Sequence, residues 1–387
     1  MLCKQPDSYM GDIRCLVLMI KGGATAVGSE SISKTVLKEQ YTKFIGKKIL
    51  FIVVLVIFLI LLMGFAATLG SASITMKEVY IAILRRLLPN FAISKPLEAE
   101  LSDIIVWRLR LPRIMLGVTA GMGLATAGTV MQAILRNPLA SPFTLGIASA
   151  ASFGATLAII LGIGFGFAGG TLVVANAFIF TMLASIIIFT LANYKGATPG
   201  MMILIGIALS FTFSASTSLL QFFGDPEEVA GVVFWMFGCL GRASWYNVTV
   251  ISLVLLICMS YLIWKSKEFN VLNAGDETAK SLGVNVEQLR LVSMLVASFV
   301  TAVIICFTGI IGFIGLVCPH ICRMLIGGDN RFLLPASCLL GAVVLLGADT
   351  VARTIISPVI IPVGIMTSFF GGPLFFYLLM RKREEYW

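Results

Sequence analysis

Acid–base and metal chemistry have little to work with in this sequence. A single histidine, His320, stands in 387 residues, and only 12% of the chain is charged, against roughly a quarter in an ordinary soluble domain. An enzyme embedded in a membrane would need clustered His, Asp and Glu around a cavity, and that supply is missing. No G-x-x-x-x-G-K-[ST] loop occurs, so the chain cannot hold ATP in the P-loop manner. The eight cysteines (Cys3, Cys15, Cys239, Cys258, Cys306, Cys318, Cys322 and Cys338) sit mostly in apolar runs without framework spacing. They read as reduced, buried hydrophobes. A cleavable leader is not expected either: the apolar stretch 15–20 is short for that purpose and follows Asp7 and Asp12.

What the sequence has is apolar length. Hydrophobic residues make up 58% of it and the mean hydropathy is +1.00. A bilayer core of about 30 Å takes roughly 20 apolar residues per helical crossing. Windows of that size predict an all-α polytopic membrane protein with ten crossings, at about 49–69, 114–133, 143–164, 169–192, 201–221, 246–264, 291–326 (two, broken near Gly309, Gly312 and Gly315), 332–352 and 359–380. Small residues four apart, such as Gly117 with Gly121 and Gly121 with Ala125, favour close helix approach. The net charge of +9 falls between the apolar runs and at the ends. It suits loops at a lipid surface, and no basic stripe with aromatics offers a nucleic-acid platform. Ten crossings put both termini on one side. The basic C-terminal run Arg381-Lys382-Arg383 argues that this side is the cytosol of a cell-membrane protein. The tail 1–48 is polar and mixed and is assigned no fold, leaving 49–387 as the membrane domain.

Several polar segments carry readable physics. In the run Asn137-Pro-Leu-Ala-Ser-Pro142, Pro138 and Pro142 remove donors and push their predecessors out of helix. Asn137 and Pro138 are therefore expected to form a rigid turn between the second and third crossings. Within 272–290, Asp276 is placed to cap a short helix 277–282, and Gly283 to end it in a left-handed conformation. Arg353 lies four residues after Asp349 and can pair with it; interfacial snorkelling of the arginines is the alternative. Around His320, residues 318 and 322 share a helix face while 320 points away. Cys318-Pro-His-Ile-Cys322 therefore reads as a bend or end after Pro319 and not as a metal site.

Three stretches in order carry a resemblance: Trp107-Arg-Leu-Arg-Leu-Pro-Arg113 with 132–146; Leu272-Asn-Ala-Gly-Asp-Glu-Thr-Ala-Lys-Ser-Leu-Gly-Val-Asn-Val286; and Gly312-Phe-Ile-Gly-Leu-Val-Cys-Pro-His320 continuing to Ala348-Asp-Thr-Val-Ala-Arg353 and Ile361-Pro-Val-Gly364. Across 107–387 the chain resembles the FecCD-type permeases, the membrane subunits of ABC importers for ferric siderophores, haem or cobalamin. The resemblance implies a type II importer fold and a passive pathway for a metal chelate, most of all a ferric siderophore. It implies no cofactor in this chain, ATP and Mg being held by separate ATPase subunits. An extracytoplasmic binding protein and a second permease copy or homologue are the other implied partners. It assigns Arg110, Arg113 and Arg353 to binding-protein docking, and Gly275, Asp276, Glu277, Ala279, Leu282 and Gly283 to ATPase coupling. Thr198, Pro199 and Gly200 match an inner gate, although Pro199 and Gly200 depart from its small-hydroxyl pattern. The stretch 225–241, with Trp235 and Met236, matches a helix at the pathway mouth. The rival reading is an ion-coupled secondary transporter, which normally keeps acids at mid-membrane.

Overall fold

A computed structural model describes residues 28–70, 74–87, 97–164, 169–196 and 198–381. The chain divides into two units, Met1–Leu50 and Phe51–Trp387. Within the first, residues 28–48, to which the sequence assigns no fold, belong to helix α1 (Gly28–Thr68). All that follows concerns the second unit.

Fifteen α-helices are found among the described residues. After α1 come the amphipathic α2 (Met76–Leu87), the short α3 (Leu97–Ile104) and a π-helical stretch Ile105–Arg110 that runs on into α4 (Leu111–Leu135). Then follow α5 (Ile147–Leu161), α6 (Gly170–Lys195), α7 (Pro199–Phe223) and the short α8 (Pro226–Met236). The second half holds α9 (Trp245–Trp264), α10 (Ser266–Asn273), α11 (Asp276–Ser281), α12 (Val286–Thr308), α13 (Ile314–Ile326), α14 (Asn330–Thr354) and α15 (Val363–Arg381). Seven helices are long and apolar enough to cross a bilayer, and 147–161, 314–326 and 363–378 are shorter apolar helices, ten in all among the described residues. The predicted third crossing begins late because Gly146 turns left-handed (φ 79°), separating a 3-10 turn Pro142–Leu145 from α5.

The chain packs around α4. Gly121 and Gly341 of α14 lie backbone to backbone: a Cβ on either would strike the other's carbonyl. At Gly128 the obstruction would be the carbonyl of Gly315 in α13. That carbonyl lacks its usual helical partner, because residue 319, four positions on, is a proline with no N–H. Lipid gives apolar faces no reason to associate, so this close contact of small residues supplies the cohesion. Of the bend or end expected after Pro319, the end does not occur: α13 runs on through the proline to Ile326. The break in 291–326 falls where expected and Gly309 (φ 72°) takes part in it as expected, but its left-handed partner is Phe313 (φ 66°) in place of Gly312 or Gly315.

His320 is buried against the edge of Phe375 (centroids 6.0 Å apart), and Cys318 and Cys322 are fully buried. No group of three metal-ligating side chains occurs among the described residues, where all six cysteines are free; Cys3 and Cys15 lie outside them.

Gly128→Ala is expected to cost about 1–3 kcal/mol through overpacking, read as a lower unfolding temperature of the detergent-solubilised protein. Gly347→Ala, with nothing within 4 Å of the added methyl, serves as the control and should leave that temperature in place.

Candidate functional site

Polar side chains gather at the two ends of α4. At its start, Asp349 of α14 is wholly buried between two guanidinium groups. Arg113 grips it bidentately (Nη2 to Oδ1 2.8 Å, Nε to both oxygens 3.1 Å), and Arg353 Nε lies 3.1 Å from Oδ2. Arg353 also donates to the carbonyls of Leu69 (3.2 Å) and Ala66 (3.4 Å). Arg110 donates to those of Ala67 (2.6 Å) and Thr68 (3.0 Å). These carbonyls close the C-terminus of α1, where helical partners run out and the dipole is negative, so the cations suit them. The three arginines predicted to reach outward for a partner are thus turned inward and paired within the chain. None of them is left without a partner, as the snorkelling alternative would have it. Among the described residues, exposed cations nearby include Arg86 of α2, whose guanidinium lies over the Trp107 ring, Arg108 in the π-helical stretch and Arg242 in the turn before α9; sequence reasoning missed all three. That turn is tied to the same end by the Trp245 indole N–H, which donates to the Trp107 carbonyl (2.8 Å).

At the other end of α4 the chain turns sharply. Arg136 takes a left-handed conformation (φ 45°), and the Asn137 carboxamide oxygen accepts from the Leu139 N–H (2.9 Å). The Asn137 carbonyl accepts from the Ala140 N–H (3.0 Å), which closes a four-residue turn with Pro138 at its second position. Proline suits that position because its ring already holds φ near the value the turn needs. Asn137 and Pro138 thus make the turn expected of them, but the two prolines do not share it. Pro142 opens a separate 3-10 turn, Pro142–Leu145, over which Ser141 and Thr144 close a capping box. Against this region lies α11. Asp276 is its first residue and not its cap; that place belongs to Gly275 (φ 112°), and the Asp276 carboxylate is spent elsewhere. It accepts from Arg290 Nη2 of α12 (3.1 and 3.2 Å) and pairs with Arg136 Nη2 (3.1 Å). The C-terminus of α11 forms as expected: Gly283 (φ 83°) donates to the Lys280 carbonyl and Val284 to that of Ala279, the paired bonds of a Schellman ending. Ala279 is the buried anchor, while Glu277, Leu282 and Gly283 face outward.

Thr198 caps α7 by accepting from the Met201 N–H (3.4 Å), and Pro199 takes the first helical position, where a missing N–H costs nothing. Pro199 faces Arg136 and 273–275 across a cleft of about 450 Å³; Gly200 is exposed beside it. A larger, apolar cavity of about 1110 Å³ lies among α6, α8, α9 and α12, walled by Trp235, Phe178, Phe299 and Phe307. Trp235, expected at a pathway mouth, is itself buried against α5 and α12.

Set against known proteins, residues 18–381 match the model of the FecCD transport family. The chain belongs to that family. The permease is 40% identical over 287 residues to the hemin transport system permease HmuU of Yersinia pestis, covering 72% of this chain and 84% of the relative. It is 38% identical over 327 residues to the cobalamin import system permease BtuC of Halobacterium salinarum, covering 81% and 85%. Its fold superposes on a solved metal-chelate-type ABC transporter in an inward-facing conformation with a TM-score of 0.74 and 32% identity, covering 86% of this chain and 99% of that one. It is therefore a membrane-located permease subunit of an ABC transporter and not an enzyme. ATP hydrolysis in such systems lies in a separate subunit.

Asp349→Asn leaves two buried guanidinium groups facing a neutral amide. It should destabilise the permease by about 3–5 kcal/mol, measured by thermal unfolding in detergent. A second tie answers to pH. Asp329 caps α14 and accepts from Asn270 Nδ2 of α10 (2.7 Å) and from Arg331. Burial works to raise its carboxyl, but the hydrogen bonds from Arg331 and Asn270 and the Arg331 charge outweigh it and hold the value down at about 2. A depressed folded value means the tie contributes fully above the unfolded value of about 3.9 and fades as pH falls through about 2. Hydrogen exchange at Phe332 and Leu333 should accordingly stay protected at pH 4.5 and loosen as the pH falls through that window.

Proposed function

We propose that the permease forms half of a translocation pathway for a metal chelate, with a ferric siderophore as cargo and haem or cobalamin as the other members of that class. The observation that carries this reading is α7, the long span least covered by the rest of the chain. Leu204, Ala208, Phe211, Ala215, Ser218 and Phe222 form an exposed stripe along it, with Thr212 and Ser214 exposed alongside. Hydroxyls on an uncovered intramembrane face suit a watered pathway or a facing helix better than lipid tails. Helix α15 also leaves Phe369, Phe370, Phe376 and Tyr377 uncovered. The two bare faces support a second copy or homologue completing the pathway, with Thr198, Pro199 and Gly200 as its inner gate. The names of the hemin and cobalamin relatives support a chelate cargo.

In this reading the α11 end is cytosolic and receives the ATPase on the exposed Glu277, Leu282 and Gly283, while Gly275, Asp276 and Ala279 root that segment to the rest of the chain. An exposed leucine on a short, rigidly ended helix with one buried anchor suits a docking cleft. The Arg113 end receives the extracytoplasmic binding protein. Among the described residues, Arg108 and Arg242, with Arg86 over Trp107, are exposed cations suited to its carboxylates, and Arg110, Arg113 and Arg353 brace the rim behind them. The ion-coupled alternative needs a titratable acid at mid-membrane. Of the acids in the apolar helices, Asp103 and Glu287 stand in the first turns of their spans, and Asp349 is held between two arginines.

Reconstituted with its ATPase and binding protein, the permease should take up a ferric hydroxamate, haem or cobalamin with ATP, and uptake should survive collapse of ion gradients. Uptake that follows a proton or sodium gradient without ATP would overturn the reading. Gly283→Val, forced into a conformation β-branched residues avoid, should lower ATPase co-purification. Charge reversal at Arg108 and Arg242 should abolish binding-protein association while the fold persists.

A further inference from the structure

The carboxylate of Asp276 joins three helices. It belongs to the first turn of α11, pairs with Arg136 at the end of α4, and accepts from Arg290 in the second turn of α12. Arg290 is almost wholly buried, and its Nε donates to the Ile134 carbonyl (2.9 Å). That carbonyl is in the last turn of α4 and has no partner further along its own helix. One acid and two arginines therefore clamp α11 to the end of α4 from both sides, by its last residues and by a terminal carbonyl. The two helices so engaged, α4 and α12, have the most buried membrane spans in the chain.

Two local features fit a mechanical role. Arg136 holds a left-handed backbone, a conformation glycine would adopt with less strain, and its guanidinium is what the ionic joint uses. Beside the joint, the cleft of about 450 Å³ separates Arg136 and 273–275 from Pro199 at the start of α7. The joint is thus tight toward the central helices and open toward the exposed one. A push on α11 would reach α4 and α12 directly, leaving the start of α7 room to shift.

We propose that Asp276, Arg136 and Arg290 are positioning residues that transmit displacement of α11 into α4 and α12, and so couple ATP hydrolysis to transport. This rests on the reading of α11 as the ATPase-docking element and adds to it a load path: docking uses the exposed face of α11, whereas transmission uses its ionic root. Removing the joint should therefore leave the ATPase bound and hydrolysing, with the stroke lost.

The test uses the full complex in proteoliposomes, with haem, cobalamin and a ferric hydroxamate each tried as the transported probe. Three quantities are read: ATPase co-purification, hydrolysis rate, and chelate moved per ATP. Arg136→Gly relieves the backbone while deleting the ion pair, Arg136→Lys keeps the charge, and Asp276→Asn keeps the shape. The expected result for Arg136→Gly and Asp276→Asn is wild-type ATPase content with chelate per ATP lowered at least about fivefold, the lower end of a coupling free energy of roughly 1–3 kcal/mol. Arg136→Lys should recover most of the ratio. An unchanged ratio in both disruptive variants overturns the joint and leaves the importer reading standing, as does a loss of bound ATPase at a constant ratio. A wild-type complex with no ATP-driven uptake of any probe overturns the importer reading and the joint together. Unfolding temperature separates a fold defect: because Arg136→Gly relieves strain, a large drop in it together with the lower ratio would mark the contact as a structural staple and overturn the proposal.

Discussion

The fold hangs on the backbone contact between α4 and its neighbours at Gly121–Gly341 and Gly128–Gly315. In water, burial of apolar faces would hold such helices together at almost any spacing their side chains allow. In a bilayer that drive is absent, and cohesion depends on how closely backbones approach. With no Cβ between them, α4 and α14 close to main-chain contact, and α13 does the same on the carbonyl that Pro319 leaves without a helical donor. Everything else is arranged around the helix so fixed.

Placing α4 in this way also places both polar clusters, because they are its two ends. Arg113 stands in its first turn and Arg136 just past its last, about 35 Å apart at the helical rise of 1.5 Å per residue. The first end is an electrostatically closed unit: Asp349 answers Arg113 and Arg353, and the terminal carbonyls of α1 answer Arg353 and Arg110. The second end is an open one, with a carboxylate shared between helices and a surface helix projecting beyond it. A rigid rim and a movable root suit the two ends of a conduit driven from one side.

Much of this was legible in the residues. Lengths of apolar sequence gave ten hydrophobic helices in order, since the span of a bilayer leaves little freedom in how long they are. Gly283 could be read as a left-handed stop because few residues other than glycine accept that backbone. Pro138 could be read as a turn residue for a similar reason, its ring fixing the backbone whatever packs around it. The Asp349–Arg353 pair followed from four-residue spacing on one helix. Side-chain direction was less legible. Arg110 and Arg113 looked like outward-reaching cations because their sequence neighbourhood shows neither the carbonyls of α1 nor an aspartate more than two hundred residues away. Asp276 looked like a cap because its real partners, Arg136 and Arg290, come from other helices. Arg108 and Arg242 carried no signal apart from charge; exposure singles them out, and exposure is a tertiary property.

By itself the sequence determined the apolar character of the chain and the order of its apolar helices, because both follow from residue type and run length alone. The family also lay within its reach, through ordered motifs. Only the tertiary structure decided which charges are spent inside the protein and which remain for partners. Pairing in a low-dielectric bundle depends on groups brought together from distant parts of the chain, and local spacing does not carry that information.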